Sequence, residues 1–167
     1  MSGCSAARRR LCIVCLCALF GCIPGPHLPN PDVPHLEWAR AFYNFKITPA
    51  PEREKLFKSY NLDEKYELLI YGNQIMHPPD FGVVEWFAEE GPDVIPFLTE
   101  KLRETQKELT IRDIIHVFSY MALEKRYDFS KNQELLALLD QKAQGLGLWK
   151  DTVLGMISEV RTGELAP

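Results

Sequence analysis

The residues best suited to chemistry lie in the stretch MHPPDFGVVEWFAEE, residues 76–90. His77 and Asp80 flank two prolines, and the carboxylates of Glu85, Glu89 and Glu90 follow. A histidine together with carboxylates could bind zinc or act as an acid and a base. The stretch therefore raises the hypothesis of a metal site formed by His77, Asp80 and Glu85.

The same stretch also has a purely structural interpretation. Two consecutive prolines stop a helix, and an aspartate directly before a helical pattern is a typical N-cap. The sequence does not identify a third and a fourth metal ligand. We therefore expect Asp80 to be a cap, and we keep a small metal-dependent hydrolase built around His77 as an alternative.

Other catalytic patterns are missing from the sequence. Gly145-Leu146-Gly147 lacks the third glycine of a dinucleotide loop, and there is no G-x-S-x-G, H-E-x-x-H or GK[ST]. His116 lies in the most apolar helical pattern, where a hydrogen-bonded core histidine is expected. The sequence thus predicts no catalytic residue and no cofactor.

Four of the five cysteines fall within LCIVCLCALFGC, residues 11–22. They lie among Leu, Ile and Val, without the paired spacing and polar loop of a zinc site. Three arginines, Arg8 to Arg10, precede this run, and no acidic residue occurs before Asp32. A basic segment followed by a short apolar run is typical of a secretory signal peptide, and the run is too short to span a membrane.

The end of the run, Leu19-Phe20-Gly21-Cys22, resembles the lipobox of bacterial lipoproteins. The resemblance implies cleavage after Gly21 and attachment of acyl chains, such as palmitate, to Cys22. Two or three acyl chains hold a protein durably on a membrane. Since Ile23 replaces the aspartate that retains such proteins at the inner membrane, the outer membrane is favoured if the cell has one. An ordinary signal peptide and an uncleaved anchor remain alternatives.

This pattern divides the chain into a signal peptide (1–21), a lipidated cysteine with a linker (22–34) and one domain (35–167). Five prolines in residues 23–34 favour an extended polyproline spacer. Residues 22–167 carry 16 basic and 23 acidic side chains, so the formal charge changes from -4 to -7 on cleavage. This charge argues against nucleic acid and permits a basic protein partner.

The domain shows helical periodicity and no strand alternation. The expected N-caps or opening residues are Asp63, Asp80, Asp93, Thr110 and Ser130. The predicted helices cover residues 35–45, 50–60, 63–76, 81–90, 94–109, 110–126, 131–144 and 148–161. The helix at 110–126 is apolar nearly all round, so we expect it at the centre of the core.

A weak repeat relates the last two helical pairs. Ile111-Arg112-Asp113 and Trp149-Lys150-Asp151 each open the second helix of a pair and lie 38 residues apart. GPDVIPFLTEKL followed by TIRDIIHVFSYMAL resembles a HEAT repeat, which implies stacked antiparallel helical hairpins. The sequence therefore predicts an all-α domain, either a HEAT-like hairpin stack or a compact helical bundle.

Three functions fit these patterns. The first is a membrane-anchored lipoprotein of the cell envelope whose helical domain binds an unknown protein. The second is an immunity or inhibitor protein directed against a toxic enzyme. The third is the hydrolase around His77. The first is favoured because the sequence offers helical surfaces and no reacting constellation.

Overall fold

The computed structural model describes residues 43–74 and 81–166, all within one compact unit. These residues are helical and contain no strand, which confirms the all-α prediction. A short helical segment, residues 43–47, comes first. The helices that follow are α1 (Ala50–Ser59), α2 (Leu62–Gln74), α3 (Phe81–Glu89), α4 (Ile95–Glu104), α5 (Glu108–Leu123), α6 (Gln133–Gln144) and α7 (Lys150–Thr162), with 3-10 turns at Gly91–Val94 and Phe129–Lys131.

Helix α5 lies at the centre of the described domain. It packs most closely against α7, then against α3, and it also contacts α2 and α4. Ile114, Ile115 and Phe118 are fully enclosed, as its apolar pattern predicts. Helix α6 buries one apolar stripe, with Leu135, Leu136 and Leu139 buried and the opposite face exposed.

The hairpins α4–α5 and α6–α7 are joined by polar contacts between corresponding positions. The buried Lys142 Nζ donates to the carbonyl oxygens of Arg103 at 3.0 Å and Thr105 at 2.6 Å. The amide of Gly147 donates to Glu108 Oε1 at 2.8 Å. These partners are 37–39 residues apart, close to the period of the sequence repeat. The two hairpins therefore pack side by side.

Two predicted caps are displaced by a neighbouring asparagine. Asn61, not Asp63, caps α2: its Oδ1 accepts from the Glu64 amide at 3.0 Å, and Glu64 Oε2 accepts from the Asn61 amide at 2.9 Å. Asn132, not Ser130, caps α6 by accepting from the Leu135 amide at 3.1 Å. Both asparagines satisfy free amide groups of the first turn, and the first pair forms a capping box.

The junction between α4 and α5 differs most from the prediction. Asp93 lies in the 3-10 turn and does not cap α4, whose N-cap position is Val94 without a side-chain hydrogen bond. Helix α4 ends at Glu104 instead of 109, and α5 begins at Glu108, so Thr110 is an interior residue and not the opening one. Helix α4 ends where Thr105 becomes extended, with ψ 145°, and at this end the Lys142 amine binds the carbonyl oxygens of Arg103 and Thr105.

Several predictions fall on residues that the structure does not describe. These include the signal peptide, the linker, most of the first predicted helix and the proposed cap at Asp80. Across residues 43–74 and 81–166, no helix has the length and apolarity that a membrane crossing requires.

Candidate functional site

Three of the four residues named as candidate site residues lie outside the described ranges. These are the lipidation candidate Cys22 and the metal candidates His77 and Asp80. The fourth, Glu85, is exposed on α3. Among the described residues, no group of three or more His, Cys, Asp or Glu side chains is placed to hold a metal ion. The metal site therefore remains a prediction.

The two other carboxylates of that stretch are engaged in ion pairs. Glu90 pairs with the buried Lys65 at 2.7 Å, a contact that ties α2 to the end of α3. Glu89 lies 3.6 Å from Lys58 and 3.9 Å from Arg126. Because each carboxylate faces a cation, both have a structural role in joining helices.

A buried polar network surrounds Asp113 at the start of α5. Asp113 Oδ1 accepts from Arg112 Nε at 2.9 Å, and Oδ2 accepts from Gln74 Nε2 at 3.0 Å. The same amide also donates to Thr110 Oγ1 at 3.1 Å. Burial raises the pKa of Asp113 to about 6, against the opposing effects of Arg112 and Gln74. The Asp113 carboxylate and Thr110 are buried and Arg112 and Gln74 are partly exposed, so the network is a polar contact that joins α2 to α5.

An open cleft lies between α5 and α7. It has a volume of about 360 Å³. From α5 it is lined by His116, Ser119, Tyr120 and Leu123; from α7 by Asp151, Thr152, Gly155, Met156 and Glu159; and from the C-terminal tail by Leu165. We refer to this feature as the α5–α7 cleft. Its lining combines carboxylates with apolar side chains, a composition typical of binding sites.

The C-terminal tail reaches the cleft by turning back along α7. Gly163 adopts a left-handed conformation with φ 66°, which ends α7 and reverses the chain. The amide of Ala166 then points to Glu159 Oε1 at 3.4 Å. A Cβ built on Gly155 would lie 3.8 Å from the Ala166 Cβ, so the tail lies close against this turn of α7.

The polar floor of the cleft does not form a catalytic arrangement. Ser119 Oγ donates to Glu159 Oε2 at 2.5 Å, but only 2% of Ser119 is exposed. A nucleophile must reach its substrate, so this bond acts as a contact between α5 and α7. It holds the Glu159 carboxylate at the cleft.

His116 lies at the edge of the cleft and not inside the core as predicted. It is half-buried, and its ring packs edge-on against Phe81 with the centroids 5.6 Å apart. Burial and the nearby Arg112 lower the pKa of His116, although Glu159 opposes this change. His116 is therefore neutral at neutral pH and adds no positive charge to the cleft.

Carboxylates dominate the charge around the cleft. Burial raises the pKa of Tyr120, and the negative charges of Glu85, Glu124 and Glu89 raise it further, whereas Arg126 lowers it. Asp151 and Glu159 add two carboxylates to the lining. The cleft therefore presents negative charge to solvent.

Apolar side chains flank these charges. Phe81 is 54% exposed beside His116, and Leu165 is 78% exposed in the lining. Met156 and Leu123 form further apolar parts of the wall. Exposed apolar groups grouped around a concave site mark contact surfaces more often than chance.

Sequence reasoning did not identify this cleft. Its lining comes from α5, from α7 and from the tail that follows α7. Helix α6 separates α5 from α7 along the chain, so no local spacing relates the lining residues. The sequence analysis singled out two of its lining residues for other reasons: His116 as an expected core histidine, and Asp151 as the counterpart of Asp113 in the repeat. In comparisons with known proteins, no protein-family model matches the chain, and no curated protein or solved structure matches it significantly.

Proposed function

We propose that this protein is an exported lipoprotein, anchored to a membrane of the cell envelope through Cys22, whose helical domain binds a protein partner. The anchor rests on the sequence pattern alone. Arg8 to Arg10, the apolar run and the Gly21-Cys22 junction follow the order that such signals require. The proline-rich segment after Cys22 provides a spacer between the membrane and the domain.

The α5–α7 cleft carries the partner-binding part of the proposal. It is concave, and the exposed side chains of Phe81 and Leu165 stand beside it. Water contact with such apolar groups is unfavourable, and a partner would remove it. An identified partner would also decide between a general binding module and the inhibitor alternative, because an inhibitor would bind a toxic enzyme.

The anchor is tested by intact mass spectrometry of the protein recovered from membranes. The wild-type protein should begin at Cys22 and carry the added mass of two or three acyl chains. Cys22→Ser should lack this mass and remain uncleaved. Cys17→Ser is the matched control, because it removes a thiol from the same apolar run and should be processed normally. A wild-type protein without lipid would contradict the anchor.

Partner binding is tested by photo-crosslinking the whole protein in its own cells. A photoreactive amino acid replaces Phe81, Leu165, Lys55 or Lys131 in turn, all of which are exposed. We expect at least one position to give a discrete, light-dependent adduct whose partner, once identified and purified, binds the protein again. Adducts at none of the four positions would contradict the proposal.

A further inference from the structure

The α5–α7 cleft has a chemistry that restricts the kind of segment it can hold. Asp151 and Glu159 line it, and Glu85, Glu89 and Glu124 lie near enough to Tyr120 to act on its hydroxyl. The cations nearby are already engaged: Arg126 faces Glu89, and Arg112 pairs with Asp113. The described lining of the cleft contains two carboxylates and no lysine or arginine, so a positive side chain that enters it lies next to negative charge.

The C-terminal tail of the chain itself contacts the cleft, through one apolar side chain and one backbone amide. Leu165 contributes an apolar side chain to the lining, and the Ala166 amide approaches Glu159 Oε1 at 3.4 Å. The tail is held loosely here, since that hydrogen bond is long and Leu165 remains 78% exposed. A segment with a stronger donor could take this oxygen, while Ser119 keeps the other one in position.

We propose that the α5–α7 cleft binds a short segment of the protein partner in which an arginine or lysine stands next to aliphatic residues. The cation pairs with Asp151, a donor of the same segment bonds to Glu159 Oε1, and the aliphatic side chains pack on Met156, Leu123 and Phe81. This inference rests on the proposed function and deepens it by naming the site and the chemistry of the partner.

The test uses the purified full-length protein in detergent and fluorescent peptides as probes. The first peptide contains Leu-Arg-Leu between glycines. In its matched control, citrulline replaces arginine, which removes the charge and keeps the shape. Binding is followed by fluorescence anisotropy at two salt concentrations. We expect the arginine peptide to bind about three- to fivefold more tightly than the citrulline peptide, near the upper end of the range for one partly exposed ion pair. The difference should shrink at high salt.

Two variants test whether the preference for the charged peptide arises in the cleft. Asp151→Asn should lower the affinity for the arginine peptide by about threefold or more and leave the affinity for the citrulline peptide nearly unchanged. A loss that is specific to the charged peptide identifies a direct ion pair with Asp151. Asp93→Asn is the control, since Asp93 is also exposed but belongs to the 3-10 turn and does not line the cleft. It should change neither affinity.

Three results would overturn the inference. These are equal affinity for both peptides, an equal effect of both variants, and no binding at millimolar peptide. The proposed function fails separately. If the partner crosslinks at Lys55 or Lys131 and the peptides do not distinguish charge, the protein still binds a partner, as proposed, but neither the cleft as the site nor this inference about its chemistry is right.

Discussion

The second helices of the hairpins α4–α5 and α6–α7 carry a similar short pattern, inside α5 and at the start of α7, yet the two copies lie in opposite environments. In the first copy, Asp113 is 1% exposed and bound to Arg112 and Gln74. In the second, Lys150 and Asp151 are both exposed. The copies also touch, because the Arg112 guanidinium lies over the ring of Trp149 at 4.4 Å from its centroid.

The difference follows from the neighbours of each helix. Helix α5 is packed by α2, α3 and α7, whereas the main described neighbours of α7 are α5 and α6. The aspartate of α5 is therefore enclosed by α2, and the aspartate of α7 remains at an open cleft. Similar local patterns thus become a buried structural network in one hairpin and part of the lining of an open cleft in the other.

Replacing each aspartate by alanine, one at a time, should give the largest difference in unfolding free energy between the two copies. Asp113→Ala leaves the donors of Arg112 and Gln74 without their acceptor in a buried site, which should lower the free energy of unfolding by about 3 kcal/mol. Asp151→Ala should cost no more than about 1 kcal/mol, the usual value of a carboxylate in a first helical turn. Urea unfolding of the two variants at about pH 5, where Asp113 is still mostly protonated, measures both values. Equal losses would show that the two sites do not differ in burial.

The pH dependence of stability should reveal the buried aspartate directly. The folded pKa of Asp113 is about 6, above its unfolded value near 3.9, so the folded state binds the proton more tightly. Its contribution is therefore complete below about pH 4 and is lost as the pH rises through 6. The loss is at most about 3 kcal/mol.

The control for this dependence is Asp113→Asn, which cannot titrate. Subtracting its pH profile of unfolding free energy from that of the wild type removes the contribution of the other carboxylates. The difference should fall between pH 4 and pH 7. A flat difference would mean that Asp113 is ionised in the folded state throughout that range.

Substitutions of the basic residues of the two copies should differ less in their effect on the unfolding free energy. Arg112 donates from Nε and Nη2 to one oxygen of Asp113 and also covers Trp149. Lysine cannot reproduce both contacts, so Arg112→Lys should cost about 1–2 kcal/mol in urea unfolding. The exposed Lys150→Arg should change stability by less than about 0.5 kcal/mol. A loss of similar size at both positions would remove the distinction between them.

Helix caps should give the smallest contrast. Helices α4 and α5 begin without a side-chain cap, whereas α6 depends on Asn132. Asn132→Ala should cost about 1 kcal/mol of unfolding free energy. Ser130→Ala, two residues earlier, should be nearly neutral because its exposed hydroxyl bonds only within the turn, to Asp128. A larger loss at Ser130 would restore the cap that the sequence suggested.

Local patterns were sufficient where short-range forces decide structure. The apolar spacing of residues 110–126 and 131–144 predicted helices α5 and α6, and the all-round apolarity of the former predicted its central place. The exact ends of the helices could not be predicted as well from the sequence. Asn61 replaced Asp63 as a cap, and α4 ends five residues earlier than predicted, where its Arg103 carbonyl oxygen accepts from Lys142, 39 residues away.

The sequence by itself determined that the domain is helical, that α5 is its core helix and that two hairpins share a pattern, because these properties depend on the period of apolar residues along the chain. Only the tertiary structure decided which aspartate is buried and which faces a cleft. Burial and pKa depend on the helices that pack around a carboxylate, and the residues that line the α5–α7 cleft meet only when α5, α7 and the returning tail come together.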